Sequence, residues 1–126
     1  MQMTGVNQRA MANIDMIAND RWIVAAVDMD TAIILNIGSL ANGDEIITVD
    51  FTFASTVEVI ALLDLTPVLV DVDSDTFNIN INSLESAITK KSKVIIPVHL
   101  FGQVANMDEV MRLAKKHNLS IIEDTA

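Results

Sequence analysis

The sequence has no cysteine in its 126 residues. Disulfides, thiolate metal sites and cysteine nucleophiles are therefore excluded, in keeping with a cytoplasmic protein. Positive charge is scarce: 8 Lys and Arg stand against 17 Asp and Glu, for a net charge of −9 at pH 7. An acidic chain without a basic stripe repels a phosphate backbone, which argues against nucleic-acid binding. No apolar run approaches the roughly 18 residues that a membrane-spanning helix needs. Met1 to Asp20 carries polar residues throughout and does not read as a secretory signal. Glycine numbers 4, and no Gly/Ser linker, internal repeat or low-complexity tract divides the chain, so its length suits one domain. There is no Gly-x-Gly-x-x-Gly, no phosphate loop and no nucleophile elbow. His99 and His117 are not at metal-ligand spacing, so no metal site is expected.

Hydrophobic residues are abundant, at 51%, with a mean hydropathy of +0.40. They fall into short Val/Ile/Leu runs, the pattern of strands covered on both faces. Four such runs read as strands: Ile46 to Asp50, Val68 to Val72, Lys93 to Val98 and Leu119 to Ile122. Between them lie helical patterns. Thr56 to Leu65 carries Val57, Ile60, Ala61 and Leu63, and Thr66-Pro67 ends it. Asn82 or Ser83 is expected to cap a short helix with Leu84, Ala87 and Ile88 on one face. Asn106 or Asp108 opens another, striped by Met107, Val110, Met111 and Ala114, with Lys115, Lys116 and His117 suiting the dipole of its last turn. Arg21 to Val27 reads as a strand, Asp30 to Leu40 as a helix, and Met1 to Asp20 as a weaker helical stretch. Strand and helix alternate at short spacing, so the expected fold is α/β: three layers, a mainly parallel sheet with helices on both faces. The last strand ends in two acids close to Ala126. It is expected to leave an exposed parallel edge, and with it a poorly soluble or molten chain.

Ligands of open α/β sheets bind outside the carboxyl ends of the strands. Those ends carry Asp50 to Phe53, Asp71, Asp73, His99, Glu123 and Asp124. Asp71 and Asp73 read as turn formers. His99 reads as hydrogen-bonded scaffold rather than catalyst. A carboxylate at the position of Asp124 is expected to be partly buried and to need a partner, which fits a functional and a structural role alike.

Four segments, in order, resemble one family. They are Gly43-Asp44-Glu45-Ile46-Ile47-Thr48-Val49-Asp50-Phe51-Thr52-Phe53, Pro67-Val68-Leu69-Val70-Asp71-Val72-Asp73, Ile96-Pro97-Val98-His99-Leu100-Phe101-Gly102-Gln103 and Ile122-Glu123-Asp124-Thr125-Ala126. Together they resemble the DegT/DnrJ/EryC1/StrS sugar aminotransferases, enzymes of the aspartate-aminotransferase-like class that depend on pyridoxal 5'-phosphate (PLP). The resemblance covers roughly residues 30–126. It implies a divergent segment at 1–23 and, at 24–126, part of a PLP-dependent transferase large domain that stops before the Schiff-base lysine. It implies cofactor-binding roles for Phe53, stacked on the cofactor ring, and for Asp124, paired with the pyridine nitrogen. On residue chemistry alone, Phe53 fits core packing at a helix start as well. Thr52 and Thr56 are no more than lining residues at this level.

The intact family member moves an amino group, commonly from glutamate, onto a keto group of a nucleotide-linked sugar for surface polysaccharide, lipopolysaccharide or antibiotic sugars. It works as a homodimer. Two departures stand out. Where the family has a Gly-Thr-type phosphate turn, Ala26-Val27-Asp28-Met29-Asp30 has no glycine and two carboxylates. No lysine matches the Schiff-base position: Lys90, Lys91, Lys93, Lys115 and Lys116 read as solvated charges. The chain alone is therefore expected to be an inactive part of such an enzyme. The other reading is a non-catalytic α/β interaction or regulatory module that kept the sheet and lost the chemistry.

Overall fold

The computed structural model describes residues 22–25 and 40–125. Five strands form one sheet: β1 (Trp22–Ala25), β2 (Glu45–Val49), β3 (Thr66–Val70), β4 (Ser92–Ile96) and β5 (Ser120–Asp124). Their order is β1-β5-β4-β2-β3, and every pairing is parallel. Three helices connect them: α1 (Ala54–Leu62), α2 (Ile81–Ala87) and α3 (Met107–His117). The expected α/β architecture is thus present. The helix expected from Asp30, the helical reading of Met1 to Asp20 and the Ala26 to Asp30 turn lie outside the described residues.

Successive strand residues point to opposite faces, and this period sorts the core. Ile47 and Val49, Val70, Ile95 and Ile121 turn to one side, where they meet Leu84 of α2 and Val110, Leu113 and Ala114 of α3. Ile46, Val94, Ile96 and Ile122 turn to the other and pack with Ile60 of α1. Burying each of the Val, Leu and Ile side chains among them contributes about 1.5–3 kcal/mol relative to exposure. Leaving β2, the chain first moves outward to β3, then passes back over β2 to β4 and on to β5. A right-handed crossover that reverses direction must change face, so α1 covers one side and α2 and α3 the other.

Element boundaries differ from expectation for local reasons. β3 begins at Thr66 rather than Val68, with Pro67 inside it. Proline cannot donate to a ladder, and it is tolerated here because β3 is an edge strand. α1 starts at Ala54 and stops at Leu62, because the chain turns through Asp64 in left-handed backbone (φ 57). It buries Thr56 and Ile60, whereas Leu62 and Leu63 of the expected apolar run face outward. The cap of α2 is Asn80, not Asn82 or Ser83: its side chain accepts from the backbone N–H of Ser83. α3 is capped by Asn106 as expected, but Leu113 takes the buried place assigned to Met111. The reading of the last strand as an exposed edge is also corrected. β5 is interior, between β4 and β1, so the aggregation hazard inferred there has no basis in that strand.

Candidate functional site

The strand order reverses between β2 and β4, and in such sheets the crevice for ligands opens outside the carboxyl ends of those strands. Three segments meet there: the turn from β2 into α1 (Asp50 to Thr56), the residues after β4 (Pro97 to His99), and the end of β5 (Glu123 and Asp124).

Asp124 is fixed through its backbone first. Its N–H donates to the Pro97 carbonyl at 2.9 Å, and its carbonyl accepts from the His99 N–H at 2.9 Å. These bonds extend the β4–β5 pairing past the end of β4. The side chain is only 3% exposed. A carboxylate so placed needs a donor, and the Thr56 hydroxyl supplies one to Oδ2 at 2.8 Å. Thr56 lies in the first turn of α1, also buried, with its N–H bonded to the Phe53 carbonyl. Its oxygen lies 3.3 Å from the Thr52 hydroxyl.

Phe53 is the residue from which α1 starts, in extended backbone and without a side-chain cap. Its ring is 61% exposed, so core packing is not its role. It precedes Thr56 by one helical turn, and the Thr56–Asp124 bond therefore brings the Phe53 turn and the end of β5 together. The two sequence-predicted cofactor residues thus share one end of the sheet.

His99 has the scaffold role expected of it. Its Nδ1 accepts the Ala105 N–H at 3.1 Å, so the ring proton sits on Nε2 and donates to Glu123 Oε2 at 2.7 Å. Asp71 and Asp73 serve their own loop: Asp71 accepts from Val72 N–H, and Asp73 Oδ1 accepts from the N–H groups of Asp75 and Thr76. The Asp75 amide, more than any other group, holds the Asp73 carboxyl below its ordinary range.

Other features were not legible from residue types. Asn78 is buried and ties the loop after β3 to the loop after β4: it donates to the carbonyls of Gln103 and Val104 and accepts from the Leu100 N–H. Phe51, Phe77 and Phe101 form an aromatic chain with ring centroids 5.4 and 6.3 Å apart, all three exposed at this end of the sheet. Phe77 and Phe101 hold left-handed backbone (φ 58 and 56), a conformation that L-residues with bulky side chains rarely adopt. The three Phe-containing loops give a weak signal in the sequence; their approach in space gives none.

The lysines all lie at the other end. Lys90 and Lys91 precede β4, Lys93 is an exposed residue near its start, and Lys115 and Lys116 close α3 just before β5 begins. In parallel strands these positions are opposite the crevice. Among the described residues no cluster of His, Asp or Glu is arranged to hold a metal ion, and no helix is long and apolar enough to cross a membrane.

Residues 26–126 match the model of the DegT/DnrJ/EryC1/StrS aminotransferase family. A UDP-2-acetamido-2-deoxy-3-oxo-D-glucuronate aminotransferase of Pseudomonas aeruginosa is 48% identical over 84 residues, which is 67% of this chain and 23% of that protein. A pleiotropic regulatory protein of Geobacillus stearothermophilus is 48% identical over 94 residues, 75% of this chain and 25% of its own length. The solved structure of NtdA from Bacillus subtilis with bound cofactor PMP superposes with a TM-score of 0.66 at 35% identity, covering 68% of this chain and 20% of that one. The chain spans about a quarter of the length of the curated relatives it matches.

Proposed function

The chain belongs to the DegT/DnrJ/EryC1/StrS aminotransferase family, and from that premise we propose that its residues 24–126 supply part of the cofactor-binding edge of a PLP-dependent aminotransferase acting on a nucleotide-linked keto sugar. The observation that carries this reading is the Thr56–Asp124 hydrogen bond, which holds a buried carboxylate at the crevice against the helix turn that begins at the exposed Phe53. The donor set fits the cofactor. A carboxylate at a strand end pairs with a protonated ring nitrogen, and a flat apolar ring offers a face for stacking. Bound there, PLP supplies an electron sink for carbanion charge. Asp124 keeps the pyridine nitrogen protonated, Phe53 orients the ring, and the hydrogen bonds of His99 and Asn78 hold the loops around them.

The relative that is a UDP-sugar aminotransferase supports a nucleotide-linked sugar as substrate, with an amino acid such as glutamate as donor. The family pattern supports a homodimer. Within this chain no lysine stands at the crevice, so the proton-transferring amine of the reaction is not among its residues. We expect the chain by itself to bind the cofactor without turning over.

Titration with pyridoxamine 5'-phosphate tests the reading, because its amine does not condense with surface lysines. Saturable binding that Asp124→Asn and Phe53→Ala each weaken supports it. Binding that neither change affects contradicts it. A second reading, an interaction or regulatory module on the same fold, is favoured by the relative described as a pleiotropic regulatory protein. A wild-type chain that is folded and binds no cofactor would favour that reading.

A further inference from the structure

Hydroxyl geometry around Asp124 points to a residue beyond the two already named. Thr56 has one hydroxyl proton, and a carboxylate oxygen is only an acceptor, so the 2.8 Å contact commits that proton to Asp124 Oδ2. The Thr52 hydroxyl, 3.3 Å from the Thr56 oxygen, must then donate its own proton to Thr56. The result is a directed relay, Thr52 to Thr56 to Asp124, with each hydroxyl donating toward the carboxylate.

The middle and the carboxylate end of the relay are held in place. Thr56 and Asp124 are each 3% exposed, and Thr56 is a β-branched residue in the first turn of a helix, with few rotamers open to it. The Asp124 backbone is clamped by Pro97 and His99. The backbone bonds fix where the carboxylate starts; the Thr56 hydroxyl holds one of its oxygens. Phe53 lies between the two threonines in sequence, so the same short turn carries the stacking ring and the group that aims the acid.

Resting on the reading given under Proposed function, we propose that Thr56, oriented by Thr52, is a positioning residue for the cofactor, setting the carboxylate plane of Asp124 against the pyridine ring. Val is nearly isosteric with Thr and lacks the donor, whereas Ser keeps it. The wild-type chain, Thr56→Val, Thr56→Ser and Asp124→Asn are titrated with pyridoxamine 5'-phosphate, reading the affinity and the absorption and induced circular dichroism of the bound ring. A thermal melt of each protein without cofactor controls for folding. Thr56→Val is expected to weaken binding roughly tenfold, the worth of one charge-assisted hydrogen bond, and to change the induced dichroism. Thr56→Ser keeps the wild-type spectrum and affinity within about twofold. A role confined to holding the fold would lower the melting temperature and leave the spectrum of the bound ring unchanged, and that result overturns the proposal. If Asp124→Asn alone disturbs the bound ring, the role of Asp124 stands and that of Thr56 falls. If the folded wild-type chain shows no binding, the cofactor reading fails and this proposal goes with it.

Discussion

The two ends of the parallel sheet are built from the same strands and differ in kind. At the carboxyl end, polar side chains are buried and directed: Thr56 to Asp124, His99 between Ala105 and Glu123, Asn78 across two loops. At the amino end most are exposed or half-buried, with Ser92 the buried exception. Glu45 meets Thr89 and Ser92, Lys116 meets Glu85, and the lysines before β4 lie in solvent. Buried polar groups are costly unless fully paired, so a fold keeps such a network only where its geometry is needed or where it fixes one loop arrangement. Surface ion pairs impose neither demand. The asymmetry, more than any single residue, supports placing the proposed cofactor edge at the carboxyl end.

That contrast can be broken or sharpened by substitution. The largest effect is expected from Ile95→Ala in β4, which is wholly buried in the core shared by both ends. Urea unfolding should show a loss of about 2–5 kcal/mol, with both ends weakened together. His99→Ala comes next, because it strips the Ala105 N–H and the Glu123 carboxylate of their partner. A loss of about 1–3 kcal/mol is expected in the same assay, and a loss near zero would mean that the carboxyl-end network does not fix its loops. Asn80→Ala removes the cap of α2 and should cost about 1 kcal/mol. The smallest effect belongs to the amino end. Lys116→Ala breaks the exposed pair with Glu85 and should lower the melting temperature only slightly at neutral pH.

The pH dependence has a definite sign at the exposed carboxylates. Glu85 is held below its ordinary range, first by the hydrogen bond from Lys116, and Asp73 by the Asp75 amide. Groups with lowered folded-state values stabilise fully above the unfolded carboxylate range, and that contribution disappears as pH falls through it and below. A pH series of melts on Lys116→Ala should therefore converge with the wild type in acid.

The sheet was legible because Val/Ile runs separated by helical spacing leave few alternatives to parallel βαβ units. The crevice was legible too, because it follows from topology. What escaped was set by partners distant in sequence. The partner of Thr56 is 68 residues away, so spacing marked it only as a lining residue. The cap of α2 was misassigned because Asn78, Asn80 and Asn82 alternate, and only the folded loop sends Asn78 inward and leaves Asn80 to accept from Ser83. Pro67 set the expected start of β3 two residues late, since residue type does not reveal that a strand lies at an edge. The interior position of β5 likewise depends on β1, a segment nearly a hundred residues earlier in the chain.

Under the proposed function, the carboxyl end of this sheet is a PLP-binding edge organised around Asp124. The most direct test is a spectroscopic titration of the folded chain with pyridoxamine 5'-phosphate, run in parallel on Asp124→Asn at the carboxyl end and Lys116→Ala at the amino end. Saturable binding that is weakened in Asp124→Asn and unchanged in Lys116→Ala is expected. Equal binding by all three proteins, or none by the folded wild type, would contradict it.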